Sequence, residues 1–132
     1  MSLMSASIKS AEQLRNCLRI SVMSRHTLND GLTPNPQITN SLFDIHLPEF
    51  GPPPKLIGKY YRQEIAWVEF AELYQEYVKS DMLKVLLDDI IVLSKEMDVV
   101  LLCIEDVPDF CHRRLLVERC LQLDSSIIVN IS

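Results

Sequence analysis

Asp98-Val99-Val100-Leu101-Leu102-Cys103-Ile104-Glu105, followed by Val107-Pro108-Asp109-Phe110-Cys111-His112-Arg113-Arg114, decides the fold. An unbroken apolar run of this length is the mark of a strand covered on both faces, as in parallel sheets. Pro108 ends it in a turn, Asp109 offers an N-cap, and the spacing predicts a helix from Asp109 to Leu123. Ser126 to Ile131 reads as a closing strand. Strand, helix and strand in that length form a right-handed βαβ unit, so the last two strands are expected to be parallel. The fold class that follows is α/β: a single three-layer α/β/α domain with a small, mostly parallel sheet, spanning residues 4–132.

Working outward, Leu18-Arg19-Ile20-Ser21-Val22-Met23 alternates apolar and polar residues, as a half-buried strand does. Residues 24–41 are polar and turn-rich, long for a connection in a compact domain, and loops of that length carry function or move. Leu42 to Leu47 is a further short strand, closed by Pro48 and by Pro52-Pro53-Pro54, which cannot pair inside a sheet. Lys55 to Arg62 fits a helical turn or two. Trp67, Phe70, Ala71, Tyr74, Tyr77 and Val78 fall on one helical face, and such an aromatic stripe is a core face. Ser80 or Asp81 caps a further helix, with Leu83, Leu86, Leu87, Ile90 and Met97 facing inward.

Acidic residues outnumber basic ones, 18 to 13, for a net charge of −5. That excludes an extended nucleic-acid surface, which needs a basic footprint. Lys9, Glu12 and Arg15 break any leader-like apolar run, and no run is long enough for a bilayer. Met1-Ser2-Leu3 ahead of Met4 reads as vector-derived and is set aside. A cytoplasmic protein is expected, without membrane contact, and its four cysteines are then reduced by default.

Ligands of open α/β sheets bind beyond the carboxyl ends of the strands. Glu105 lies at such an end, and Phe110, Cys111 and His112 are expected in the first helical turn, where free N–H groups and the macrodipole favour anions. A thiol there, near arginine, has a lowered pKa. If the strand at Leu18 runs parallel, Arg25 and His26 emerge at the same edge. The candidate reactive groups are therefore Cys111, His112, His26 and Glu105, and the candidate anion-binding groups are Arg25, Arg113 and Arg114. The alternatives are plain. Arg113 or Arg114 could pair with Glu118, Glu105 could bond a loop amide, and His46 reads as structural. Cys103, inside an apolar strand, and Cys120, on a helix face, read as core.

A phosphatase-type loop needs an arginine six positions after its cysteine; Asp109 stands there after Cys103 and Val117 after Cys111. Cys103, Cys111 and His112 could together hold a metal, but Cys-x7-Cys-His is not a zinc spacing, so no metal or other cofactor is expected. A small anionic ligand, phosphate or nucleotide, at the Cys111–Arg114 helix start asks least of the sequence. The same residues can be read as catalytic. The second reading is a non-catalytic interaction module, with the 24–41 loop and Pro52 to Pro54 as its partner surface.

Leu101 to Glu105 followed by Pro108-x-x-Cys111-His112-Arg113-Arg114-Leu115-Leu116 resembles the C-terminal signature of the family called domain of unknown function 488. Val22 to Gly31, Leu47 to Phe50 and Glu69-Phe70 are similar to other parts of it, in particular to small archaeal members. The resemblance implies a compact α/β domain and a cytosolic prokaryotic protein, with no assigned activity.

Overall fold

The computed structural model describes residues 1–28 and 30–132. Five strands, β1 (Leu3–Ser7), β2 (Cys17–Ser21), β3 (Ile45–His46), β4 (Asp98–Cys103) and β5 (Val129–Ile131), form one sheet in the order β3-β2-β4-β1-β5. Every pairing is parallel, with Ser7 opposite Cys103 and Ser21 opposite Leu102. The chain is thus an α/β protein, as the apolar run of β4 predicts. Among the described residues, no helix is long and apolar enough to cross a membrane.

Four α-helices, α1 (Pro54–Tyr61), α2 (Trp67–Tyr77), α3 (Asp81–Glu96) and α4 (His112–Leu123), accompany the sheet. The core assigns them to one face: Leu83, Leu87, Ile90, Leu115, Leu116 and Cys120 pack with Leu3, Ile20, Val99 and Leu101. The other face, with Val100 and Leu102, is covered by Ile8 and Ala11 of a 3-10 segment (Ile8–Gln13) and by Leu42. Parallel crossovers are right-handed. The steps β3→β4 and β4→β5 move one way along the sheet and put their helices on one face. The steps β1→β2 and β2→β3 move the other way and must cross the opposite face. They do so with 3-10 turns and loop, so the second outer layer is thin.

Three expectations change. Leu3 is fully buried and pairs with Val99 and Val129, so it belongs to the sheet although it was set aside with Met1 and Ser2. Strand β1 lies between β4 and β5, so the two arms of the C-terminal βαβ unit are parallel but not neighbours. Helix α4 begins at His112 with Cys111 as its N-cap residue, not at Asp109. The reason is Pro108, whose carbonyl accepts from the Cys111 N–H and closes a turn where a helix would have started. The closing strand is also shorter than the apolar pattern suggests, because Ser126 is spent on the Asp124 side chain.

Candidate functional site

β2 and β4 are neighbours whose connections leave across opposite faces of the sheet. That arrangement opens a crevice at their carboxyl ends, the position where α/β sheets place their sites. A cleft of about 1030 Å³ occurs there, beyond β2 and β4 and against α1 and the start of α2. Its floor carries Cys103, Cys111 and His112. One wall carries Arg25, Asp30 and Asn35 from the β2–β3 connection; the other is aromatic, with Tyr61, Trp67 and Phe110.

Local packing fixes both sides. The Tyr74 and Tyr77 hydroxyls donate to the Phe50 and Glu49 carbonyls and tie α2 to the Pro48–Phe50 turn. Gly51 then meets Ser24 so closely that a Cβ would sit 2.4 Å from the Ser24 Cβ and 2.5 Å from its Cα. Two imidazoles brace the exit of β2: His46 Nε2 donates to the Met23 carbonyl at 2.7 Å and His112 Nε2 to the Val22 carbonyl at 2.8 Å. Because a carbonyl only accepts, both bonds require the Nε2–H form. The Nδ1 atom of neutral His112 is therefore a bare acceptor, and it faces Cys103 Sγ at 3.8 Å.

Cys103 ends β4, and the chain turns over its sulfur. The Cys111 thiol, directed at it, holds the Cys103 thiol below its usual range. Burial opposes this, while the Ile104 and Glu105 N–H groups and the Arg113 charge reinforce it. Cys111 moves the opposite way: its bond to Cys103 and its own burial raise it far above an ordinary thiol, against a smaller lowering by His112. Of the two sulfurs, Cys103 is thus the one whose thiol is held lower, whereas the sequence reading names Cys111; both lie buried in the core, as expected for Cys103.

Arg113 is completely buried. Its Nη1 donates to the Glu105 carbonyl at 2.7 Å and to Cys111 Sγ at 3.5 Å, and its Nε donates to the Ser132 carbonyl. Its Nη2 has no partner, and no aspartate or glutamate side chain among the described residues pairs with it. Arg114 turns outward. It pairs with Glu118 at 2.8 Å, donates to the Pro108 and Asp109 carbonyls and lies over Trp67. Neither arginine lines the cleft; of the three candidate anion-binding arginines, Arg25 does.

The other candidates divide. Glu105 lines the cleft with an exposed side chain. His26 does not line it: its Nε2 bonds Ser21 Oγ at 2.7 Å, and its ring stacks on His46 and tilts against Phe43. Burial, helped by the charge of His46, pushes His26 down to about 4. Cys120 is buried in the core, and Cys17 lies at the start of β2, the opposite end of the sheet from the cleft. Cys103 Sγ, Cys111 Sγ and a ring nitrogen of His112 lie within 4.8 Å of one another. Two thiols and an imidazole are donors suited to a soft or borderline metal ion, a convergence the sequence spacing does not announce.

The family model for DUF488-N3a, described as the active DUF488-N3 subclade, matches residues 3–123, and the chain belongs to this family. No curated protein and no solved structure is significantly similar to it.

Proposed function

For a member of this family, we propose that the cleft binds a small anion-bearing molecule of nucleotide size and that Cys103 is the reactive thiol beside it. The observation that carries this reading is the fully buried Arg113 guanidinium, which pairs with no aspartate or glutamate side chain among the described residues and meets Cys111 Sγ at 3.5 Å beside Cys103. A buried cation is costly unless compensated, and a thiolate in the adjacent thiol pair compensates it. His112 Nδ1 is placed to accept the Cys103 proton, and the Ile104 and Glu105 N–H groups remain to hold the sulfur or the charge that develops as it reacts.

Ligand recognition follows from the walls. Arg25 is the cleft's cation and takes the phosphate or other anionic group. Trp67, Phe110 and Tyr61 offer flat faces to a base or comparable ring. Glu105, Asp30 and Asn35 offer acceptors for sugar hydroxyls. Arg113 and Arg114 act behind the cleft, the first on the thiols and the second on the turn before α4. A cytoplasmic setting, where thiols stay reduced, suits this chemistry.

The test is alkylation of Cys103 by iodoacetamide across pH, with and without a panel of nucleoside mono- and diphosphates. The expected result is labelling of Cys103 at about neutral pH, slowed by at least one nucleotide and insensitive to it in R25A. An unreactive Cys103, or labelling that no nucleotide alters, overturns the reading.

A further inference from the structure

We propose that Cys103 and Cys111 form a reversible intramolecular disulfide when the protein meets a hydroperoxide, making the floor of the cleft a modification site. The inference rests on the reading of Cys103 as the reactive thiolate and adds a role for Cys111. The two sulfurs lie within 4.8 Å of each other and of an imidazole nitrogen, on the floor of a cleft open to solvent. They belong to the last residue of β4 and the residue before α4, joined by the loop 104–110, which has neither helix nor strand to resist closing. Cys17 lies at the start of β2 and Cys120 towards the far end of α4, outside the group formed by Cys103, Cys111 and His112.

The chemistry balances with a hydroperoxide as the sole oxidant. The Cys103 thiolate attacks the outer peroxide oxygen: an S–O bond forms, the O–O bond breaks, and the leaving oxygen takes a proton to depart as water or an alcohol. Cys111 sulfur then attacks the sulfenic sulfur. An S–S bond forms, the S–O bond breaks, and hydroxide leaves as water with the proton from Cys111. Two thiols give up two electrons and one peroxide is reduced.

The two thiols divide the work by their surroundings. Cys103 meets the His112 Nδ1 acceptor at 3.8 Å and is the nucleophile, whereas Cys111 meets the Arg113 donor at 3.5 Å and resolves; a His112 ring nitrogen within 4.8 Å of both sulfurs can take the Cys111 proton in the second step. The disulfide masks the nucleophile and stops its oxidation at a recoverable stage. The same three donors would suit a metal ion, but the Arg113 guanidinium against Cys111 Sγ places a positive charge where a divalent cation would sit, and this favours the thiol pair.

The test treats the whole protein with about one equivalent of hydrogen peroxide, then cleaves it after Glu105, which separates the two cysteines. The expected product is a Cys103–Cys111 linked pair of peptides, reversed by dithiothreitol. C103S should form none. C111S should instead hold Cys103 as a sulfenic acid trapped by dimedone, with C111A as a second variant if the serine disturbs folding. Over-oxidation of wild-type Cys103 without a disulfide, or linkage to Cys17 or Cys120, overturns the proposal, as does stoichiometric zinc that survives purification and blocks the reaction. If iodoacetamide labels Cys103 at neutral pH but peroxide yields no disulfide, this inference falls and the proposed function stands. If Cys103 resists both reagents, the proposed function falls first.

Discussion

His112 reaches across the sheet end to the Val22 carbonyl, and this 2.8 Å bond fixes which ring nitrogen faces the Cys103 sulfur. One side chain thus ties the exit of β2 to the start of α4 and sets the tautomer at the thiol. Replacing it with glutamine keeps a donor for Val22 and removes the ring acceptor. H112Q should keep its fold by circular dichroism while the pH midpoint of Cys103 alkylation rises. An unmoved midpoint would restrict His112 to bracing Val22.

Arg113 acts on the same thiol from behind. R113M removes a buried guanidinium, leaves the Glu105 carbonyl without its donor, and should cost about 3 kcal/mol in urea unfolding. In the fraction that folds, Cys103 should need a higher pH to react, because the charge that favours its thiolate is gone. R113K should restore part of the reactivity and less of the stability, since an ammonium cannot reproduce the fork. Equal loss of both in the two variants would contradict this division.

His26 makes stability depend on pH. Its folded pKa of about 4 lies below the ordinary histidine value of 6.5, so between those values the unfolded chain binds more protons than the folded one. The contribution is complete above about pH 6.5, declines as pH falls towards 4, and changes no further below that. Allowing for its partial exposure, the loss is on the order of 1–2 kcal/mol. Urea midpoints between neutral and mildly acidic pH measure it, and H26F should flatten the profile.

Gly51 has ordinary backbone angles, and its requirement is space. G51A places a Cβ 2.4 Å from the Ser24 Cβ and must push the two segments apart. A destabilisation of about 2 kcal/mol is expected, of the size seen when a packed contact is overfilled. Nucleotide protection of Cys103 should weaken in parallel, because Ser24 carries the chain into Arg25. A variant as stable as the parent would show that this contact yields freely.

Much of the architecture is legible in the residues. The apolar run of β4 states its burial on both faces, and α2 and α3 announce themselves by periodicity. Strand β1 does not. Leu3-Met4-Ser5-Ala6-Ser7 has little β-branched or aromatic character, and its place is made by two neighbours distant in sequence, Val99 to Cys103 and Val129 to Ile131. Its small residues suit a strand enclosed on both sides; Ser5 is buried and bonded to Ser132.

The candidate site is legible in part. Cys111, His112 and Arg25 line one cleft, as the parallel run of β2 and β4 leads one to expect, while Arg113 and Arg114 do not. Which of two adjacent arginines turns inward is decided by rotation around α4, a matter of tertiary packing: Arg113 points to the thiols, while Arg114 finds Glu118 one turn along. Cys103 is read correctly as core, and its place at the end of a buried strand also brings it to the cleft, which one dimension does not show.

The split between floor and wall has an evolutionary consequence. The thiols and their imidazole come from β4 and α4, whereas Arg25, Asp30 and Asn35 come from the connection between β2 and β3, which crosses the thinly covered face. On the proposed function, changes in that connection beyond its anchor at Ser24 would alter what is recognised without touching the thiols. Relatives built this way would then diverge in ligand while inheriting one thiol pair, and loop exchange between them would be a direct route to altered specificity.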